Sequence, residues 1–243
     1  MREAEHADIS GWDFRWFDGR ASEDRPSWHY FDLVAERARS VSSLLDLEVG
    51  NGHMVVALPR LPPLTVGTEG YQPNIAAAAE SLRSRGAHLV CPDTRGRRLP
   101  LRSDTFELVT SRHPVATWWD EIVRVLRPGG HYLSQQVGPH SLRDLTEYLM
   151  GPDPSGSLRD PEAARAAAER AGLTVTTLRA ERPKTEFYDI GAVVYFLRLV
   201  VWIVPDFSVE RYRDRLRALH DQIVHDGAFT TTASRFLIEC VKQ

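Results

Sequence analysis

The chain has few of the residues that would make several function classes easy to recognise. Two cysteines, Cys91 and Cys240, occur in 243 residues, so a disulfide framework is excluded and a reducing compartment is expected. No Cys or His pair has zinc spacing and no H-E-x-x-H occurs, so no metal site is expected. No G-x-S-x-G elbow is present, which argues against a hydrolase of that design. Lysine is nearly missing: Lys184 and Lys242 are the whole supply, and the remaining cations are arginines. The net charge of −3 gives no electrostatic case for general nucleic-acid binding. The most apolar stretch, residues 190–204, carries Arg198 and is short for a bilayer. No membrane association is expected. The amino-terminal segment lacks the apolar core of a secretory signal, and the expected location is the cytoplasm.

What is present starts at residues 44–69, LLDLEVGNGHMVVALPRLPPLTVGTE. A short apolar run ends in Asp46. A turn with Gly50 and Gly52 follows, then an apolar stretch over 53–58, then a second short apolar run that ends in Glu69. The order is strand, glycine turn, helix, strand, acid. In doubly wound α/β folds this unit holds an adenosine-type cofactor: the glycines admit its backbone contacts and the acid takes the ribose hydroxyls. The dinucleotide fingerprint needs a third glycine at position 55, which is Val55 here. The NAD or FAD reading is weakened accordingly.

Residues 40–140 resemble the class I S-adenosylmethionine-dependent methyltransferases. The first loop of that family runs roughly D-x-G-x-G-x-G. Asp46, Gly50 and Gly52 are in register with it, and Glu48 replaces its first glycine. TEGYQPN resembles the second-strand acid and the helix start that follows. Residues 91–113 resemble the third-strand acid and the D-x-F-D-x-V entry to the fourth strand, with Asp104, Phe106 and Glu107 at the entry positions. Residues 121–138 resemble the helix, R-V-L-x-P-G-G turn and fifth strand of many small-molecule methyltransferases. Residues 187–196 and 204–212, with 111–113 and 135–138, are similar to a bacterial methyltransferase-like group (type 11) without a settled substrate.

The resemblance implies an α/β, doubly wound, Rossmann-like sheet of seven strands, the last one antiparallel. It also implies one domain over 1–243: an amino-terminal helical arm or lid (1–40), a cofactor core (41–140) and a helical insertion (184–230) that forms a lid. Local signals agree. Asp160, Pro161 and Gly172 mark a helix over 160–171. The β-branched run 173–179 reads as the sixth strand, 190–203 and 208–226 as inserted helices, and 233–241 as the last strand.

S-adenosylmethionine is the cofactor implied, and a small molecule is the acceptor. Asp46, Glu48, Gly50 and Gly52 would shape its methionine side, and Glu69 with Gly70 would meet the ribose. Asp93 with Thr94 would meet the adenine. Arg112 and His113 follow the fourth strand, where ligands bind in such sheets. His113 is expected as general base near neutral pH, with Arg112 and Gln135 as positioning groups. Gln135 and Gln136 point to opposite faces, so at most one of them lines the pocket. Trp28, His29, Tyr30, Tyr188 and Asp189 are further pocket candidates, while His220 and His225 read as solvated. Two rival functions stay open. One is a protein of this fold that binds the cofactor without methylating, motivated by Glu48. The other is an RNA methyltransferase, motivated by the cluster Arg95, Arg97, Arg98 and Arg102, with the acidic balance against it. Oligomeric state is left open.

Overall fold

A computed structural model describes residues 1–9, 14–92, 97–152 and 159–243. In chain order the elements are α1 (Arg2–His6), a 3-10 turn (Phe14–Phe17), β1 (Ala21–Glu23), α2 (Tyr30–Arg39), β2 (Ser43–Leu47), α3 (His53–Val56), β3 (Leu64–Thr68) and α4 (Gln72–Ser84). Then come β4 (His88–Val90), β5 (Phe106–Arg112), α5 (Trp119–Val125), β6 (Leu126–Val137), α6 (Arg143–Met150), α7 (Pro161–Arg170) and β7 (Leu173–Glu181). The chain closes with β8 (Lys184–Phe187), α8 (Ile190–Leu199), α9 (Arg213–Asp226), β9 (Phe229–Thr232) and β10 (Arg235–Lys242). Two compact units result. One holds residues 27–138, 159–181 and 235–243; the other holds 1–26, 139–158 and 182–234.

The first unit is a seven-stranded sheet in the order β4-β3-β2-β5-β6-β10-β7. The strands from β4 to β6 pair in parallel, and β10 runs antiparallel to both β6 and β7. This is the expected sheet with its last strand reversed. The central strands are apolar on both faces because helices cover both. Leu44, Leu108, Leu133 and Leu237 meet Tyr30, Val34 and Ala38 of α2 on one face. Leu45, Val109, Tyr132, Phe236 and Ile238 meet Ile122 and Val125 of α5 on the other. The entry motif of β5 turns out to be scaffolding. Glu107 accepts hydrogen bonds from the Ser42 hydroxyl at 2.6 Å and the Ser43 amide at 3.2 Å, and Asp104 pairs with Lys242 at 2.7 Å. Asp160 caps α7 as expected, accepting from Glu162 and Ala163 at 2.7 and 3.0 Å.

The second unit has a three-stranded antiparallel sheet, β1-β8-β9, with α1, α6, α8 and α9. Its core is α8, nearly every residue of which is buried. Trp16 stacks on Tyr195 at 4.6 Å, and Arg198 donates to the carbonyls of Ala4 and Ala7, so the one charge in this apolar helix is satisfied. Several expectations shift here. The helix expected over 190–203 ends at Leu199, and the one expected from 208 starts at Arg213. The Ser208 hydroxyl accepts from the Arg211 amide at 3.2 Å and closes the turn that precedes α9. Tyr188 bonds Ser22 at 2.7 Å, and Asp189 caps α8 through the Ala192 amide at 3.0 Å. His220 and His225 are exposed. No described helix is long and apolar enough to cross a membrane.

Candidate active site

The site is assembled at the carboxyl ends of β2, β3, β5 and β6 in the sheet unit. Near the end of β2 lies Asp46, which is 3% exposed and accepts a hydrogen bond from the Thr110 hydroxyl at 2.6 Å. Burial pushes its carboxyl up to about 7, against the pull of Thr110 and the Arg112 guanidinium. The turn that follows is left-handed at three positions: Glu48 at φ 56°, Gly50 at 61° and Gly52 at 79°. Gly52 also brings the turn against α4, where an added Cβ would lie 3.3 Å from Ser81 Cβ. Gly67 in β3 makes room from below: its Cβ would sit 2.7 Å from Val49 Cγ1 and 2.8 Å from Leu82 Cδ1.

Glu48 takes the backbone conformation that favours glycine, at a cost of about 1–2 kcal/mol for a side chain with a Cβ. Compensation is visible. Its amide donates to Thr68 Oγ1 at 3.1 Å, and its carboxylate accepts from the Val115 amide at 2.7 Å. Burial raises its pKa, and the Val115 and Ala116 amides and Arg159 oppose that shift. The first-glycine position is thus used to tie the β2 turn to the segment after β5.

At the end of β3, Glu69 is 5% exposed. One carboxylate oxygen accepts from the Tyr71 amide at 2.7 Å, the other from Asn74 Nδ2 at 3.3 Å. Asn74, also buried, has no hydrogen-bond partner for its Oδ1 among the described residues. A buried orphan acceptor is costly. Beside an acid with lone pairs to spare, it fits a ligand that brings hydroxyl donors, as a ribose does. The residues present therefore fit the cofactor implied by the sequence. Asp93 and Thr94, the residues expected at the adenine, lie outside the described residues, as does Arg95 of the arginine cluster. Arg97, Arg98 and Arg102 are exposed.

β5 and β6 bring His113 and Gln135 together. The His113 amide donates to the Gln135 carbonyl at 2.7 Å, and His113 Nε2 meets Gln135 Nε2 at 2.9 Å. The other end of the same amide, Oε1, accepts from Trp28 Nε1 at 2.8 Å. His113 sits at φ 54°, and its pKa is pushed well below the ordinary histidine value by burial first and then by Arg235, Arg112 and Arg159. Tyr30, buried below, donates to the Ser111 carbonyl at 2.8 Å. Arg112 is exposed. Gln136 keeps Nε2 buried and unpartnered, so the two adjacent amides do differ in surroundings. Sequence reasoning missed Arg159 and Arg235, which stand in no motif, and Asn74, which closes TEGYQPN but was given no role there. Trp28 was among the pocket candidates of the sequence, singled out as one of six aromatics in the first thirty residues and without its partner Gln135. Among the described residues no cluster of three or more His, Cys, Asp or Glu could hold a metal ion.

The strand order and the glycine turn define the class I methyltransferase fold. Residues 45–134 match the family model described as a methyltransferase domain. The enzyme class drawn from the sequence agrees with that match. No curated protein matches the chain. Among solved structures it is similar to the YcgJ protein of Bacillus subtilis, at 15% identity over 88% of this chain and 98% of that one, with a TM-score of 0.60. It is similar to the [4+2]-cyclase SpnF at 18% identity over 87% and 80% of the two chains, with a TM-score of 0.55. It is also similar to a Haemonchus contortus phosphoethanolamine N-methyltransferase in complex with S-adenosyl-L-methionine, at 18% identity over 88% and 52%, with a TM-score of 0.53. At these identities the likeness speaks for the fold.

Proposed function

We propose that this protein transfers a methyl group from S-adenosylmethionine to a small-molecule acceptor. The observation that carries the reading is the pairing of the left-handed glycine turn after Asp46 with the buried Glu69–Asn74 pair at the end of the neighbouring strand. The cofactor supplies a methyl activated by a sulfonium and a thioether leaving group. The chain's own task is to hold cofactor and acceptor in line. Asp46, Glu48, Gly50 and Gly52 shape the methionine side, and Glu69 with Gly70 receives the ribose hydroxyls. Asp93 and Thr94 are assigned to the adenine on the resemblance alone. Arg112 and His113 meet the acceptor, and Gln135 positions His113. The absence of any described membrane-spanning helix and the net charge of −3 support a small-molecule acceptor over membrane or nucleic-acid partners. The test is calorimetric titration with S-adenosylmethionine and with S-adenosylhomocysteine, followed by an acceptor screen.

A second reading has one observation of its own. Glu48 places a carboxylate, held by the Val115 amide, where the family carries a glycine. That change favours a protein that binds the cofactor while doing something other than methylation. Cofactor binding without methyl transfer to any acceptor would select it.

A further inference from the structure

Three side chains in the sheet unit form a relay whose hydrogen-bond directions are fixed by chemistry. An indole N–H can only donate. Gln135 Oε1 must therefore face Trp28, and at 2.8 Å it does. The opposite end of the amide is then NH2, which can only donate as well. It faces His113 Nε2 at 2.9 Å, so that nitrogen must carry its lone pair toward Gln135. In a neutral imidazole the proton then sits on Nδ1. No hydrogen bond to Nδ1 is present among the described residues.

This arrangement leaves His113 no basic site to offer. The Nε2 lone pair is occupied and Nδ1 is already protonated. Turning the amide would set NH2 against the indole N–H, and protonating Nε2 would set two donors against each other in a half-buried place. The charged groups around the ring agree. Arg112, Arg159 and Arg235 all disfavour an imidazolium. Arg112, exposed at the end of β5 next to His113, disfavours an ammonium-type acceptor and favours an anionic one.

We propose that Trp28 and Gln135 are positioning residues that hold His113 as a hydrogen-bond donor through Nδ1, and that the acceptor is a small molecule whose nucleophilic oxygen arrives as an anion, a carboxylate or an acidic phenol or enol. This rests on the methyl-transfer reading. The step balances without a base. The acceptor's oxygen lone pair forms the new bond to the methyl carbon. The carbon–sulfur bond breaks with its electron pair left on sulfur, and the negative charge of one partner cancels the positive charge of the other. No proton has to leave. The Nδ1–H and Arg112 orient the anion.

The experiment reads the histidine directly, in the cofactor-free protein. Ring nitrogen NMR of 15N-labelled protein assigns His113 as the signal absent from His113→Asn. The expected result from about pH 6 to about pH 8 is one tautomer, protonated at Nδ1 and bare at Nε2. Trp28→Phe should release the amide and mix the tautomers. Gln135→Glu should move the proton to Nε2 or charge the ring. A wild-type ring protonated at Nε2 near pH 7 overturns the proposal. With S-adenosylmethionine and a panel of carboxylic acids, phenols and amines, turnover is expected on acids or phenols. His113→Asn, which keeps a donor, should retain activity better than His113→Phe, with the latter about tenfold to hundredfold lower, as for a lost charge-assisted hydrogen bond. Turnover confined to amines overturns the acceptor class. Failure to bind S-adenosylmethionine overturns the methyl-transfer reading and the acceptor class with it, while the nitrogen spectrum decides the tautomer separately.

Discussion

The Glu48 carboxylate accepts the backbone N–H of Val115 at 2.7 Å, joining the turn after β2 to the segment after β5. Sixty-seven residues of sequence separate the two groups, and the bond spans the carboxyl ends of two adjacent parallel strands. It comes from a residue at φ 56°, where glycine would be unstrained. Two opposing effects thus meet at one position.

Glu48→Gly should relieve about 1–2 kcal/mol of backbone strain and remove a hydrogen bond to a charged group worth about 1.5–3 kcal/mol. The greater freedom of glycine in the unfolded chain adds a further small cost. Net stability should therefore fall by no more than about 3 kcal/mol, as thermal unfolding would show. Hydrogen exchange at the Val115 amide should accelerate much more than exchange in β2 or β5. Unchanged protection at Val115 would mean that the bond contributes little to ordering that segment.

Asp46 gives a pH prediction with a definite sign. Its folded pKa of about 7 lies above the ordinary carboxylate value. Between about pH 4 and about pH 7 the folded chain holds this proton while the unfolded chain has lost it. The stability due to this group is full at low pH and declines as pH rises through that window. Asp46→Asn removes the titration. The variant should match the wild type near pH 4 and be more stable above pH 7, by at most about 4 kcal/mol for a shift of about three units. An unpaired amide N–H would reduce the gain. Denaturant midpoints at the two pH values check it.

His113 carries the opposite sign. Its folded pKa lies well below the usual value, so protonation favours the unfolded chain. Its contribution is complete above about pH 6.5 and is lost as pH falls from there toward the depressed folded value. In His113→Asn the stability slope between about pH 6.5 and about pH 5 should be shallower than in the wild type. Equal slopes in parallel denaturant titrations would contradict the buried, neutral state.

Gly67→Ala should be costly although no motif marks it. Its methyl group would lie 2.7 Å from Val49 and 2.8 Å from Leu82, well inside contact distance. Overpacking of this kind costs about 1–3 kcal/mol. Because Val49 belongs to the glycine turn, cofactor affinity should weaken along with the melting temperature. A loss of stability with full affinity would show that the turn moves independently of β3.

The sheet was legible because long-range order in such a fold is written in local units. Apolar runs ending in Asp46 and Glu69, and the later run into β6, mark strands whose pairing follows from right-handed crossovers. The caps of α7 were equally plain, since Asp160 and Pro161 act on the next few residues. The small sheet β1-β8-β9 was not legible. Its strands are three or four residues long, and β9 is largely threonine, so alternation had too few positions to register. At the site, residue type alone suggested His113 as a base. Its partners act from residues 28 and 135, and which nitrogen holds the proton depends on them. Asn74 escaped notice because its significance is an unpaired oxygen, which only three-dimensional packing reveals.

Calorimetric titration of S-adenosylmethionine into the wild type, Glu69→Gln and Glu69→Ala tests the central claim most directly. Glutamine keeps an oxygen for the Tyr71 amide, so it separates the cap from the charge. The expected result is about micromolar binding to the wild type, with affinity about tenfold to hundredfold lower in both variants at unchanged fold. No binding to the wild type, or equal binding to all three proteins, would contradict the assignment of Glu69 and the glycine turn to this cofactor.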